Sequence, residues 1–287
     1  MNRPAESGYR LVQLANGACS VHSLAHGETF HPVIGPVAEA QALYVGQLDL
    51  PARVRRHRGE FVVWDVGLGA AANALTVLRA TRESTGPLRL LSFDCTLDPL
   101  RFAFEHAGAL GYFGGYEAVI PQLVRQRGAA FADGARRVEW TVHVADFPAL
   151  LREPGTPAFP KPHAILFDAF WPARNPEMWT QPLFADLYRV LDPCRPCVLP
   201  TYSRSTMLRV SLLLAGFFVG AGHATGEKEE TTLAANMREL IPEPLDRRWL
   251  LRARRSTSAE PLWEPRYRQA RLSPATWERL QQHPQFT

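Results

Sequence analysis

The sequence predicts an α/β protein built on an open, mostly parallel sheet flanked by helices. Three observations carry the expectation. Short apolar runs of strand character alternate with stretches of helical periodicity, the order that right-handed crossovers and parallel pairing demand. One of those runs feeds a glycine turn, Asp65-Val66-Gly67-Leu68-Gly69, which opens an alanine-rich helix. Aspartates close four of the runs, Asp65, Asp94, Asp146 and Asp168, where an open sheet of this class presents its ligands.

The elements follow in order. Polarity alternates on both sides of Asn16-Gly17, a short-range hairpin signal. Phe30-His31-Pro32 reads as a turn, and Pro36 opens a helix over 37–45. Strands are expected at 61–66, 88–94, 138–145, 163–168 and 197–203, with helices at 70–80, 97–109, 177–191 and 205–215. Residues 112–128 read as a helical insertion before the third strand, and 217–222 with 231–235 as a closing antiparallel hairpin. Beyond Glu239 the chain is rich in Pro and Arg yet holds Trp249, Trp263 and Trp277, so it is expected to wrap the domain rather than hang free. The organisation expected is an N-terminal extension over 1–50, a central domain over 51–238 and a C-terminal extension over 239–287.

A hydrophobic content of 46% over 287 residues supports a full core. No apolar run approaches the roughly 18 to 20 residues of a membrane span. Residues 1–7 are polar and lack the apolar stretch of a signal peptide, so a cytoplasmic location is expected. Cys19, Cys95, Cys194 and Cys197 are too sparse for a disulfide scaffold, and Cys194-Arg-Pro-Cys197 is half a zinc spacing without its other half, so no metal site is expected. Net charge is +4, and of 32 basic residues only Lys161 and Lys228 are lysines. The arginine runs over 53–58 and 247–255 suit a nucleic-acid backbone, while a solvated face or a compositional habit explains them as well.

Gly67 and Gly69 allow a sharp turn and the close approach of a ligand. Read as Gly67-x-Gly69-x-x-Ala72, with Asp94 about 20 residues on, the turn also matches the dinucleotide fingerprint of a dehydrogenase. Asp65 argues against that reading, because a carboxylate there repels a pyrophosphate and suits the ammonium of S-adenosylmethionine. Asp94 then suits a ribose diol, and Asp146 the adenine edge. Asp168 opens the most informative stretch, Asp168-Ala-Phe170-Trp171-Pro172-Ala-Arg174-Asn175-Pro176-Glu177-Met178-Trp179, a strand-end carboxylate followed by a proline-stiffened loop. Helix capping is the plain alternative for any one of these acids; four in succession favour a shared cleft. His31 and His143 read as structural histidines.

These stretches resemble the methyltransferase domain of the MnmC family, which acts on the tRNA wobble uridine. The family pattern Asp-Gly-Phe-Ala/Ser-Pro-x-Lys-Asn-Pro-Glu-Met-Trp is largely kept from Asp168 to Trp179. Its Glu-x-Gly-Phe-Gly-Thr-Gly-Leu-Asn appears as Asp65-Val-Gly67-Leu-Gly69-Ala-Ala-Ala-Asn73, and Glu39-Ala40, Thr201-Tyr202-Ser203 and Ala215-Gly216-Phe217 resemble further segments. The resemblance implies a Rossmann-like, seven-stranded S-adenosylmethionine-dependent methyltransferase fold. It implies an N-methyltransferase for the aminomethyl group of a tRNA wobble uridine, with Asp168 catalytic, orienting the amine and taking its proton. Asp65, Gly67, Gly69, Asn73, Asp94, Asp146 and Asp168 would hold the cofactor, and Phe170, Trp171, Arg174, Asn175, Tyr202 and Glu39 the acceptor. The flavin-dependent oxidase half of bifunctional members has no counterpart in this sequence, which implies a separate oxidase partner. Two departures stand out: Ala71 replaces a glycine, tolerable in a helical backbone, and Lys228-Glu229-Glu230-Thr231 puts a carboxylate where the family has Arg. They keep open a methyltransferase for a small amine or another nucleic acid, and a noncatalytic RNA-binding relative with a decayed cofactor site.

Overall fold

The computed structural model describes residues 8–153, 159–225 and 229–287, so residues 1–7 and Lys228 lie outside the described residues. Strands β1 (Tyr9–Gln13), β2 (Cys19–Ser23) and β3 (Glu28–Thr29) form a small antiparallel sheet. Gly17 makes the first turn at φ 86°, and the Asn16 side chain accepts from the Ala18 amide at 3.1 Å, which is why Asn-Gly stands there. Helix α1 (Pro36–Ala40) runs directly into a π-helical turn, Gln41–Gly46, in place of the single regular helix expected over 37–45, and α2 (Leu50–Arg56) follows.

The main body is Rossmann-like. Its eight strands are β4 (Phe61–Val66), β5 (Leu88–Asp94), β6 (Gly128–Asp133), β7 (Arg136–Val144), β8 (Ala164–Phe167), β9 (Val198–Thr201), β10 (Phe218–Gly222) and β11 (Thr231–Ala235), in the spatial order β10-β11-β9-β8-β4-β5-β7-β6. The five central strands from β9 to β7 pair in parallel, with β6 antiparallel at one edge and the β10–β11 hairpin at the other. The strand beyond the expected seven is β6, in sequence rich in alanine. The insertion over 112–128 contains one helix, Ile120–Gln126, and packs through Tyr112, Phe113 and Tyr116.

Helices cover both faces: α3 (Ala72–Ala80), α4 (Asp98–Glu105), α5 (Ala107–Leu110), α6 (Ile120–Gln126), α7 (Phe147–Arg152), α8 (Gln181–Arg189), α9 (Thr206–Ala215), α10 (Arg247–Arg255) and α11 (Pro274–Gln281). The stretch 97–109 is broken at His106 into α4 and α5, and a 3-10 turn, Pro176–Trp179, precedes α8. Strand β4 shows why a parallel sheet reads as an unbroken apolar run. Phe61 and Val63 enter the core on one face, Val62, Trp64 and Val66 the core on the other, and such burial is worth about 1.5–3 kcal/mol per large side chain. Asp65 is the exception in that run.

The segment from Glu239 onward lies against the second core, burying Trp249, Leu250, Leu262, Leu280 and Phe286. Its Gln285 side chain accepts from the Val219 amide at 2.8 Å and donates to the Val219 carbonyl at 2.7 Å, pairing with the main chain of β10. Among the described residues no helix is long and apolar enough to cross a membrane.

Candidate active site

Strand β4 leads to β5 on one side, while β8 joins the sheet on its other side, so the carboxyl ends of β4 and β8 flank the point where strand order reverses. Crevices of open α/β sheets form at such points. A cavity of about 420 Å³ opens there, bordered by Tyr9 of β1, His26, strand β3 and the turn after it.

The glycine turn forms one wall. Gly67 sits at φ 93°, and a Cβ on it would meet the Asp168 carbonyl oxygen at 2.5 Å, so both the conformation and the contact require glycine. Gly69, at φ 50°, donates its amide to Asp94 Oδ2 at 2.9 Å, and the Thr96 amide lies 3.3 Å from Asp94 Oδ1. Those contacts aim the carboxylate and leave further lone pairs on both oxygens. Burial raises the Asp94 carboxyl above the usual range against these hydrogen bonds. Asp146 stands at the N-cap of α7 but makes no side-chain capping bond, and it lines the cavity. Asn73 donates from Nδ2 to Asp168 Oδ2 at 2.7 Å, while its own Oδ1 is buried without a partner.

Asp168 follows the last residue of β8, held by its amide on the Val66 carbonyl at 2.9 Å. Beyond it the proline-rich loop turns the aromatic rings into the cavity. The Trp179 indole donates to the Phe170 carbonyl at 2.7 Å, and the Tyr202 hydroxyl to the Ala169 carbonyl at 3.0 Å. Phe170 stacks on His26 at 4.1 Å between ring centroids. Trp171 lines the mouth at 45% exposure, its amide 3.2 Å from Glu28 Oε2, and burial raises the Glu28 carboxyl despite that contact. Asn175 faces the same space with a buried, unpartnered Oδ1.

Two expected site residues lie elsewhere. Asp65 is 0% exposed and does not line the cavity; its Oδ2 accepts from Ser92 Oγ at 2.8 Å and its Oδ1 has no partner. By the alternation of β4 its side chain projects from the sheet face that Phe61 and Val63 share. Burial pushes its carboxyl up to about 7, the Ser92 bond opposing and the charges of Asp168 and Asp94 adding to the rise. Arg174 is exposed outside the cavity, its guanidinium over the turn at Gly27, because the loop turns back there with the Arg174 amide on the Trp171 carbonyl at 2.8 Å.

His31 enters the site unforeseen. Its Nε2 lies 3.5 Å from Asp168 Oδ2 and its Nδ1 3.9 Å from Glu39 Oε2, on a backbone at φ 49°. The signal in the sequence was slight: a histidine in a turn shortly before the helix that carries Glu39. Glu28 was missed for the same reason, since only the fold brings β3 over the end of β8.

The lining contains Glu28, Glu39, Asp94, Asp146, Asp168 and Glu177 but, among the described residues, no Lys or Arg. In a chain of net charge +4 such a wall repels phosphate and attracts cations. The donor-seeking oxygens of Asn73 and Asn175, the acids and the Cβ-free turn at Gly67 together fit a cationic, adenosine-bearing ligand.

A family model described as an S-adenosyl-L-methionine-dependent methyltransferase matches residues 113–237. The chain is similar to the tRNA 5-methylaminomethyl-2-thiouridine biosynthesis bifunctional protein MnmC of Aeromonas hydrophila, 28% identical over 240 residues, covering 79% of this chain and 35% of that protein. It is 26% identical to the protein of the same name from Stutzerimonas stutzeri over 269 residues, covering 89% and 39%. The chain thus spans little more than a third of the length of these relatives. Among solved structures, MnmC2 from Aquifex aeolicus superposes with a TM-score of 0.69 at 22% identity, covering 96% of this chain and 84% of that one. A spermidine synthase in complex with the transition-state analogue AdoDATO superposes at 0.52 with 10% identity, covering 95% and 84%, and shares the fold.

Proposed function

We propose that this chain, an S-adenosylmethionine-dependent methyltransferase with an MnmC-like methyltransferase domain, methylates the amine of an aminomethyl group on a tRNA wobble uridine. The name of the MnmC relatives gives the product chemistry: a methylaminomethyl group is what one methyl transfer makes of an aminomethyl group. The observation that carries the reading is the cation-selective lining of the cavity, six carboxylates and no Lys or Arg among the described residues. In this reading the reaction belongs to the cytoplasm, and a separate oxidase partner supplies the free amine.

The bound cofactor supplies a methyl carbon already activated by its sulfonium. The protein therefore orients the acceptor and removes its proton. Asn73 and His31 hold Asp168 Oδ2, and among the described residues Oδ1 has no hydrogen-bond partner, so it is the atom that receives the amine. Asp168 orients the amine and accepts or relays its proton, while His31, between Asp168 and Glu39, holds the carboxylate in place. Phe170, Trp171 and Tyr202 supply flat surfaces for a base and exclude water. Asp94 and Asp146, which line the cavity, would hold the cofactor, and Asp65, buried outside the lining, would make no contact with it.

The test is methyl transfer from labelled cofactor to tRNA carrying the aminomethyl group, to tRNA lacking it, and to free small amines. Asp168→Asn is expected to lower transfer at least about 100-fold, the scale of a lost acid–base group, with cofactor affinity changed far less. Equal transfer to tRNA without the amine overturns the reading. Preference for a free amine replaces it by the second reading, which Glu28 and Glu39 in the cavity favour.

A further inference from the structure

The positive charge of this chain is not spread evenly. Residues 239–287 hold nine arginines and six acids, a net +3 out of +4 for the whole sequence. The acids there are partly engaged: Asp246 caps α10 by accepting from the Trp249 amide at 2.8 Å, and Glu260 is buried under Trp263, Ser273 and Thr276.

Helix α10 has five arginines in nine residues. Its apolar side, Trp249, Leu250 and Ala253, is buried in the core. Two of the arginines are held by the segment itself, Arg247 donating to the Phe286 carbonyl at 2.9 Å and Arg254 lying over the Trp277 ring at 4.8 Å. Arg248, Arg252 and Arg255 are different. They are exposed, they share one face by their spacing, and among the described residues they have no ion pair or hydrogen bond. Leu251, 54% exposed, stands between them.

The segment that carries α10 connects to the site. Leu262, in the turn after α10, accepts from the Gln181 amide at 2.8 Å and bridges Thr180, next to the 3-10 turn whose Met178 lines the cavity. On the other side, burial lowers the Arg209 guanidinium below its usual range, Glu230 opposes, and the charges of Arg204 and Arg252 each add to the lowering. Arg204 is exposed and stands two residues beyond the cavity residue Tyr202. Between the cavity's edge and α10 the charge is mixed, with Arg204 facing Glu229 at 3.8 Å and Arg209 facing Glu230 at 3.1 Å, so the unpaired positive charge is that of α10, whereas the cavity itself is acidic. A substrate that satisfies both presents an amine on a large polyanion.

We infer that the exposed face of α10, with Arg248, Arg252 and Arg255, is the surface on which the phosphate backbone of the RNA substrate docks. The inference rests on the tRNA reading above and names the part of the chain that would realise it. Unpaired guanidinium groups at helical spacing match successive phosphates, and their contribution comes from counterion release.

The experiment uses the full chain with charges reversed at R248E/R252E/R255E, beside a control carrying the same change in net charge at the opposite sheet edge, R125E/R127E/R137E. Binding of unfractionated tRNA is measured at several salt concentrations, with S-adenosylmethionine affinity and circular dichroism alongside. The expected result is at least a tenfold loss of tRNA affinity near physiological salt for the α10 variant only. The slope of log affinity against log salt should be shallower by about 2 to 3, as three lost phosphate contacts require, with cofactor affinity unchanged. Equal losses in both variants, or none in either, overturn the inference while the tRNA reading stands. A wild-type chain that does not bind tRNA overturns both. A milder triple change, R248Q/R252Q/R255Q, gives the same ordering if charge reversal disturbs the fold.

Discussion

Asp65 holds an ionisable group where a parallel sheet ordinarily has Val or Ile, and the cost of charging it sets a pH dependence. Its carboxyl is ordinarily protonated only in acid, whereas burial pushes it to about 7 in the folded chain. Below about pH 4 the group is protonated in both states and contributes nothing to the difference. Between there and about pH 7 the folded state binds the extra proton, so stability falls as pH rises, and the loss is complete above about 7. Asp65→Asn keeps the shape and the Ser92 contact without the charge. It should unfold like wild type near pH 4 and be more stable by a few kcal/mol at pH 8, measured by urea titration at both. A difference independent of pH would show that Asp65 is not the titrating group. The same burial explains why a reader of the sequence places Asp65 in the cavity: an acid before a glycine turn looks like a ligand, and only the strand's alternation decides which way it points.

At the level of elements, the turn from β4 into α3 is where sequence and structure correspond best and also where they part. The apolar run, the two glycines and Asn73 are legible because each residue type answers to a local requirement, and Asp94 and Asp168 are legible because parallel strands end together. Ala71 is the departure. A helical backbone would accept it, but it stands at φ 63° and ψ 16°, left-handed, at the N-cap of α3. An L-residue there costs about 1–2 kcal/mol. Ala71→Gly should therefore stabilise by up to about 1 kcal/mol, a rise in Tm of about 2–4 °C by calorimetry, with cofactor binding kept. Strand β6 escaped notice because Gly128-Ala-Ala-Phe-Ala has little β-branched character, and its place is secured by long-range pairing with β7 instead. His31 and Arg174 were misplaced for different reasons. The place of His31 depends on how the small N-terminal sheet folds over the end of β8, a contact between distant parts of the chain that no local pattern records, whereas Arg174 is turned outward by the local turn that sets its amide on the Trp171 carbonyl.

At the scale of the whole molecule, the boundary drawn at residue 239 separates sequence of different composition without separating folding units. Leu245, Trp249, Leu250, Leu262, Leu280 and Phe286 share one apolar cluster with Val62, Trp64 and Val66 of β4 and with Met178 and Trp179 of the site loop. Each large side chain buried there contributes about 1.5–3 kcal/mol, so together they rival the net stability of about 5–15 kcal/mol of an ordinary domain. The main-chain groups at Val219 and Leu245 also depend on the Gln285 side chain, and Thr180 at the end of the site loop is bridged to Leu262. A chain ended after residue 238 would expose that cluster and take away the partners of the Val219 amide and of the Gln181 amide, at a further cost of about 1–3 kcal/mol for each donor left buried. It should lose cooperative thermal unfolding, expose apolar surface to a dye such as ANS, and fail to bind cofactor even though every acid of the cavity is present. A truncated chain that melts cooperatively and binds S-adenosylmethionine like the full one would make the segment an accessory to RNA docking alone. The expected result makes it both: one side of α10 completes the core that supports the site, and the other carries the charge that brings the substrate to it.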